Sequence, residues 1–382
     1  MSFLNKKLIT TKNNTIMKTK NIFSSELTSV LNVQNKGVIS IAQIYHEHEV
    51  NLNLISVHQA FDHNLVRVEE VSESGSVNEL IFINLSDKYI FIMDGDILKG
   101  AKQNRVVNSS VLVGPNKKIF LPVSCVEQGR WNKTSNFFSP SNELAHGKLR
   151  ANKGRDIYNQ TEKSSKKHSV SQSEVWEEVD SCMSFTETES PSTCLSDVFE
   201  DKKKFYTNLT DSFKINSSAN GLAYFIDGNL KGVEIFHSGE IYSDYFSKIL
   251  KSVALDADVF MRKNHVKNDV KISSEVAAEL IYEAIEDFNQ NQDRIDYCNG
   301  ISLGKECRLV TNKEFFYDLT YENQTIHQSI LSLEKDRENG FNRRCRTDNP
   351  ITTFDFGDYN DTIPEVRRRN FFTRLFNRIN KI

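Results

Sequence analysis

Residues 94–131 read DGDILKGAKQNR, a short apolar stretch, then LPVSCVEQGRW. Groups able to do chemistry crowd both ends: Asp94, Lys102, Gln103, Asn104 and Arg105 on one side, Cys125, Glu127, Arg130 and Trp131 on the other. Lys102, Arg105 and Arg130, helped by the two amides, suit an anionic ligand, because ammonium and guanidinium groups form charge-assisted hydrogen bonds with phosphate oxygens. Trp131 offers a face on which a planar ring can stack. Asp94 and Glu127 are the carboxylates available for catalysis, with Glu127 the acid–base candidate. Cys125 beside cations would gain thiolate character and act as a nucleophile, although no histidine is near it in sequence and a buried, inert cysteine is the commoner outcome. The same residues describe a second object equally well, a buried ion-pair network that pins strand register.

Gly114-Pro115-Asn116-Lys117 is a turn signal, so the flanking runs RVVNSSVLV and KIFLPV are expected to fold back on each other. Pairing Val113 with Lys118 carries Asn104 opposite Glu127 and Val106 opposite Cys125. Strand side chains alternate, so Lys102, Asn104, Cys125 and Glu127 then share one face and Gln103, Arg105 and Gln128 the other. A slip of one residue, which Pro122 invites because it has no ladder donor, would put Arg105 opposite Glu127. In either register Lys102 or Arg105 is expected within salt-bridge distance of Glu127.

Other candidates carry less. His46-Glu47-His48-Glu49 would set two imidazoles on one strand face, but no third ligand is identifiable, and no metal site is expected. Glu234 would join the polar cluster if its hairpin packs on the first, and His327 reads as a satisfied core histidine. There is no phosphate-binding loop, nucleophile elbow or dinucleotide fingerprint.

The elements that must position these groups point to an α+β fold, mainly antiparallel sheet with two amphipathic helices packed on it. From residue 37 to 123 the chain consists of short β-rich runs broken by polar residues and glycine. GLAYFIDGNLKGVEIF reads as a second hairpin turning at Asp227-Gly228. Apolar residues then recur at helical spacing over 241–257 and again over 275–288, where Ser274 is the expected N-cap and Val276, Leu280, Ile281, Ala284, Ile285 and Phe288 the buried face. Strand-like runs return over 302–333.

Around this 35–335 domain the polar text is expected to lie outside the core. Residues 1–34 read as a mobile leader, 132–197 as a Ser-rich excursion or lid with little core of its own, and 336–365 as a linker. Residues 366–382 combine Phe371, Phe372, Leu375, Phe376, Ile379 and Ile382 at helical spacing with six cations and no acid. A basic amphipathic helix is expected there, docking on the domain, on a partner protein or on a membrane surface.

Composition sets outer limits. The 382 residues carry a formal net charge of -3, which argues against a dedicated nucleic-acid surface. No apolar run is long enough to span a bilayer, so a cytoplasmic location is expected. The six cysteines are scattered without a CxxC pair, which fits reduced thiols better than a disulfide framework.

DGDILKGAKQNRVVNSSVLV with LPVSCVEQGRW, VWEEV at Val175, AYFIDGNLKGVEIFHSGEIYSDYFSKILKSVALDA from Ala223 and TIHQSIL at Thr325 resemble the family called the ARG and rhodanese-phosphatase-superfamily-associated protein domain. The resemblance spans about residues 36–333. It implies association with ADP-ribosylglycohydrolases and rhodanese-phosphatases, hence a pathway handling ADP-ribose or another phosphorylated nucleotide derivative. The leading expectation is a protein that binds such a small molecule at the polar hairpin and hydrolyses or modifies it. The alternative is a non-catalytic sensor or adaptor in a prokaryotic defence or nucleotide-signalling system, with the polar cluster structural. The sequence names no cofactor.

Overall fold

A computed structural model describes residues 23–24, 26, 28–73, 75–76, 78–161, 168–266 and 269–333. In chain order the first strands are β1 (Thr28–Lys36), β2 (Ile39–His46) and β3 (Leu54–Ser56), then helix α1 (Val57–Asp62). Next come β4 (Val66–Glu70), β5 (Glu79–Asn84), β6 (Tyr89–Ile92), β7 (Asp96–Gly100), β8 (Arg105–Val107), β9 (Val111–Val113), β10 (Lys118–Cys125) and β11 (Phe138–Leu144). Four helices follow, α2 (Gly147–Thr161), α3 (Gln172–Thr186), α4 (Leu195–Asp201) and α5 (Lys203–Thr210). The hairpin β12 (Gly221–Ile226) and β13 (Asn229–Phe236) leads into α6 (Gly239–Asn264) and α7 (Ser274–Gln290). The last strands are β14 (Asp296–Asn299), β15 (Lys305–Val310), β16 (Glu314–Tyr321) and β17 (Gln324–Ser332).

Among the described residues these strands form three sheets. The largest is eight-stranded in the order β1-β2-β12-β13-β17-β16-β15-β14, antiparallel throughout. A six-stranded sheet runs β11-β7-β8-β10-β5-β4 and a small one β3-β6-β9, whose β3–β6 contact is the one parallel pairing described. The chain is therefore α+β with mostly antiparallel sheet, as its alternating short runs require.

Alternation along β12 divides the core. Leu222, Tyr224 and Ile226 face a cluster built on α6 through Tyr245, Ile249 and Val253, whereas Ala223 and Phe225 face one built on α7 through Ile281, Ile285 and Phe288. The two long helices thus cover opposite faces of the large sheet. Each large apolar side chain so buried contributes about 1.5–3 kcal/mol.

Four expectations change here. The N-cap of α7 is Ser273, whose hydroxyl accepts from the Val276 amide, and Val276 is 41% exposed because the buried face is instead Ala277, Ile281, Ala284, Ile285 and Phe288. The leader boundary moves: Phe23 packs edge-on to Phe288 and Phe316, and β1 begins at Thr28. As an edge strand β1 keeps much polar text, which hid it. The 132–197 excursion carries α2, α3 and the start of α4, and buries Val175, Val179, Cys182 and Leu195 in the α6 cluster. Two helices become seven among the described residues. The expected linker and tail, residues 336–365 and 366–382, lie outside the described residues. No described helix is long and apolar enough to cross a membrane.

Candidate functional site

The polar turn is built at the start of β8 and the end of β10, in a register one residue from that expected: Cys125 lies opposite Arg105, Ser124 opposite Val106 and Val123 opposite Val107. The simple hairpin does not form. Asn108, Ser109 and Ser110 break the strand after Val107, so β9 leaves to pair with β6 while the first half of β10 pairs with β5. That polar interruption is why counting outward from the Gly114-Pro115 turn gives the wrong partner.

Neither Lys102 nor Arg105 bonds Glu127, contrary to the expectation. Its cation is Arg130, three residues on, whose Nε donates to Oε1 at 2.8 Å and whose Nη2 donates to Oε2 at 2.6 Å. The Asn104 amide adds 3.0 Å to Oε2 and the Ser192 hydroxyl 3.1 Å to Oε1. Burial alone would push this carboxyl up, but these donors, Arg130 first, hold it below the usual glutamate range. Arg130 also donates to the carbonyls of Ala101 and Asn132 at 2.9 and 3.1 Å. Asn104 reaches Cys194 Sγ, and the Gly129 amide donates to the Ser192 carbonyl at 2.7 Å. The CVEQGR segment is thereby stitched to the chain entering α4.

The remaining cations hold a loop. Lys102 Nζ donates to the Glu73 carbonyl at 2.6 Å and Arg105 Nη2 to the Ser76 carbonyl at 3.2 Å. Arg105 Nη1 donates to Gln103 Oε1 at 2.8 Å and to Cys125 Sγ at 2.5 Å. Burial nevertheless pushes the Cys125 thiol up to about 11, so it stays protonated at neutral pH. Over this layer stands Trp131, 44% exposed, with Lys102 Nζ 5.4 Å and the Arg105 guanidinium 5.6 Å from its ring centroid. Beside it, Glu70 forms a loose ion pair with Arg105, Oε1 to Nη2 at 3.8 Å, while both its carboxylate oxygens and Nε of Arg105 are buried with no hydrogen-bond partner among the described residues.

Asp94 belongs to a second, deeper cluster. Arg150 of α2 donates through Nε and Nη2 to the two Asp94 oxygens at 3.0 and 2.9 Å and through Nη1 to Glu234 at 2.6 Å. The other Glu234 oxygen is 3.0 Å from His327 Nε2, and His327 Nδ1 is 3.0 Å from Ser110 Oγ. Ser110 closes the ring by accepting from the Asp94 amide at 2.9 Å. Two residues further on, Asp96 pairs with Lys248 and accepts from Tyr245 at 2.7 Å. Lys153 donates to the Val107 carbonyl at 2.5 Å, and burial brings it down to about 7. Gly95 makes the approach feasible: at φ +85° it turns the chain, and a Cβ there would lie 2.7 Å from Arg150 Cδ.

Asp94, Glu234 and His327 were each singled out in the sequence, and they meet one another rather than Glu127. Arg150, Lys153 and Lys248 were not. KLRANKGR looks like a solvated helix face, and only the Asp94–Gly95–Asp96 turn hinted that cations must arrive from elsewhere. The cluster is nearly closed to solvent, with Asp94 12% exposed at its side chain and Arg150 1%.

His46 and His48 do not converge on a ligand. His46 Nδ1 is 2.8 Å from Thr28 Oγ1, and His48 Nε2 is 2.9 Å from the His237 carbonyl. Among the described residues no group of three histidine, cysteine or acidic side chains gathers as a metal site would require.

Neither a curated protein nor a solved structure matches this chain. One family does, over residues 28–331, which take in both clusters, all three sheets and the helical excursion. The chain belongs to the family described as the ARG and Rhodanese-Phosphatase-superfamily-associated Protein domain.

Proposed function

We propose that this protein is a non-catalytic sensor or adaptor in a nucleotide-signalling or defence system and that its polar turn is a structural clamp. One observation carries the reading: Glu127 receives four hydrogen bonds from Arg130, Asn104 and Ser192, and its proton affinity is lowered. A general acid–base needs a pKa near working pH and an unfilled lone pair toward the substrate. Glu127 offers neither. The family description, which records association with other proteins, is compatible with an accessory role.

The test pairs turnover with stability. Purified protein is incubated with ADP-ribose, products are followed by chromatography, and melting is measured for wild type, Glu127→Gln and Arg130→Ala. No turnover is expected, together with lowered melting temperatures for both variants. Wild-type turnover that disappears in a Glu127→Gln protein of unchanged stability would overturn the proposal.

A second reading has its own observation. Glu70 and Arg105 keep unfilled hydrogen-bonding capacity next to the exposed Trp131 indole and Lys102. The cations and the indole suit a phosphorylated nucleotide-derived molecule of the ADP-ribose kind, with its ring on Trp131, its anion on Lys102 and Arg105, and a ribose hydroxyl donating to Glu70. On this reading ADP-ribose raises the melting temperature of the wild type and leaves that of Trp131→Ala unchanged. An equal shift in both proteins would remove it.

A further inference from the structure

We infer that the groove between β1 and α7 is a docking site for a basic amphipathic helix of a partner protein. It is separate from both polar clusters and does not depend on what they do. The groove holds about 330 Å³ and is lined by Thr28, Val30, Ala278, Glu279, Ile281 and Tyr282. Its floor is the rim of the α7 cluster, while Tyr282 at 50% and Val276 at 41% stand exposed on the helix above it. A large aromatic beside a concave apolar floor is the usual anchor arrangement of a helix-binding groove.

Charge selects the occupant. The α7 sequence SEVAAELIYEAIEDFNQ contains five acids and no lysine or arginine. Glu275, Glu279 and Glu283 recur every four residues and so form one exposed ridge alongside the apolar strip. Among the described residues Glu279 and Glu283 have no ion-pair partner. The complement is a helix with an apolar stripe for the groove and arginine or lysine along its flank.

The neighbouring strand edge argues for side-chain docking rather than strand addition. The β1–β2 register shifts between Val30 and Asn32, leaving Leu31 without a partner. A bulge of this kind kinks an edge and spoils it as a template for another strand.

The experiment uses the full chain and a fluorescent peptide of about 17 residues with leucines at helical spacing and arginines elsewhere. Anisotropy is expected to show saturable binding that weakens as salt rises. The Glu279→Lys/Glu283→Lys double variant and Tyr282→Ala should each weaken it about tenfold or more. Circular dichroism checks that both remain folded, and Tyr297→Ala, at the far edge of the large sheet, should bind as wild type. Unchanged affinity in the double variant, or equal binding of a glutamate-for-arginine peptide, would overturn the inference. So would a wild-type dimer in sedimentation that Tyr282→Ala dissolves, which would assign the groove to a second copy. Peptide binding that appears only after residues 366–382 are deleted would assign it to this chain instead, with the same consequence.

Discussion

Arg150 uses Nε, Nη1 and Nη2 to hold three oxygens of two carboxylates that no solvent reaches freely. Removing it would leave Asp94 and Glu234 buried with only Ser110 and His327 beside them and no guanidinium between them, and losing one partner of a buried pair typically costs ~3–5 kcal/mol. Arg150→Ala is therefore expected to lose stability on that scale in urea denaturation. A loss under about 1 kcal/mol would mean that water replaces the guanidinium. Gly95→Ala should be destabilised as well, by roughly 1–3 kcal/mol, through its positive φ and its collision with Arg150. Because the collision needs the arginine, the double variant should lose less than the two single losses added together. Strict additivity would show that backbone strain alone is responsible. At this scale the sequence was legible where a group sits in a recognisable motif, as Asp94 and Glu234 do. It was silent on Arg150 because a cation's partner can come from any distance along the chain, and nothing in the local text of α2 distinguishes a buried guanidinium from a solvated one.

Elements were legible in proportion to how cleanly one face is apolar. Both α6 and α7 carry unbroken apolar stripes, and both were found; β1 and α3 mix polar residues into their buried faces, and the text around them suppressed the signal. The turn at Gly114-Pro115 was read correctly as a turn, yet the register failed, since Asn108, Ser109 and Ser110 divert the strand between two sheets. The β1–β2 pair also has a pH signature. Burial, with the charge of His48 behind it, lowers His46 from 6.5 to about 4, so the folded chain prefers the neutral ring. Stability from this group is fully present above the unfolded value and declines as pH falls from 6.5 toward about 4, because the unfolded chain takes up the proton first. The loss is on the order of 3 kcal/mol at most. Urea midpoints at about pH 7 and about pH 4.5 should separate further for wild type than for His46→Gln. Equal separations would place the acid sensitivity elsewhere.

Over the whole molecule, the Asp94–Arg150–Glu234–His327 ring ties the β6–β7 turn to α2, β13 and β17, so the sheets have a shared charged joint as well as shared apolar faces. One cooperative transition is expected for the wild type, with tryptophan fluorescence and far-ultraviolet circular dichroism coinciding. In Arg150→Ala the fluorescence of Trp131 and Trp176 should move first, as α2 and the polar turn loosen ahead of the large sheet. Coincident curves in that variant would show that apolar packing alone couples the layers. The strand order of the large sheet also bears on how the protein is made. β17 sits between β13 and β16, although it is the last strand in the chain. A growing polypeptide therefore emerges from the ribosome with its central sheet gapped, the β12–β13 hairpin exposing a bare edge until residue 332 has cleared the exit tunnel. A premature stop before β17 would release a chain with that edge permanently open, and such products are expected to aggregate or to be degraded rather than persist as shorter, partly working forms.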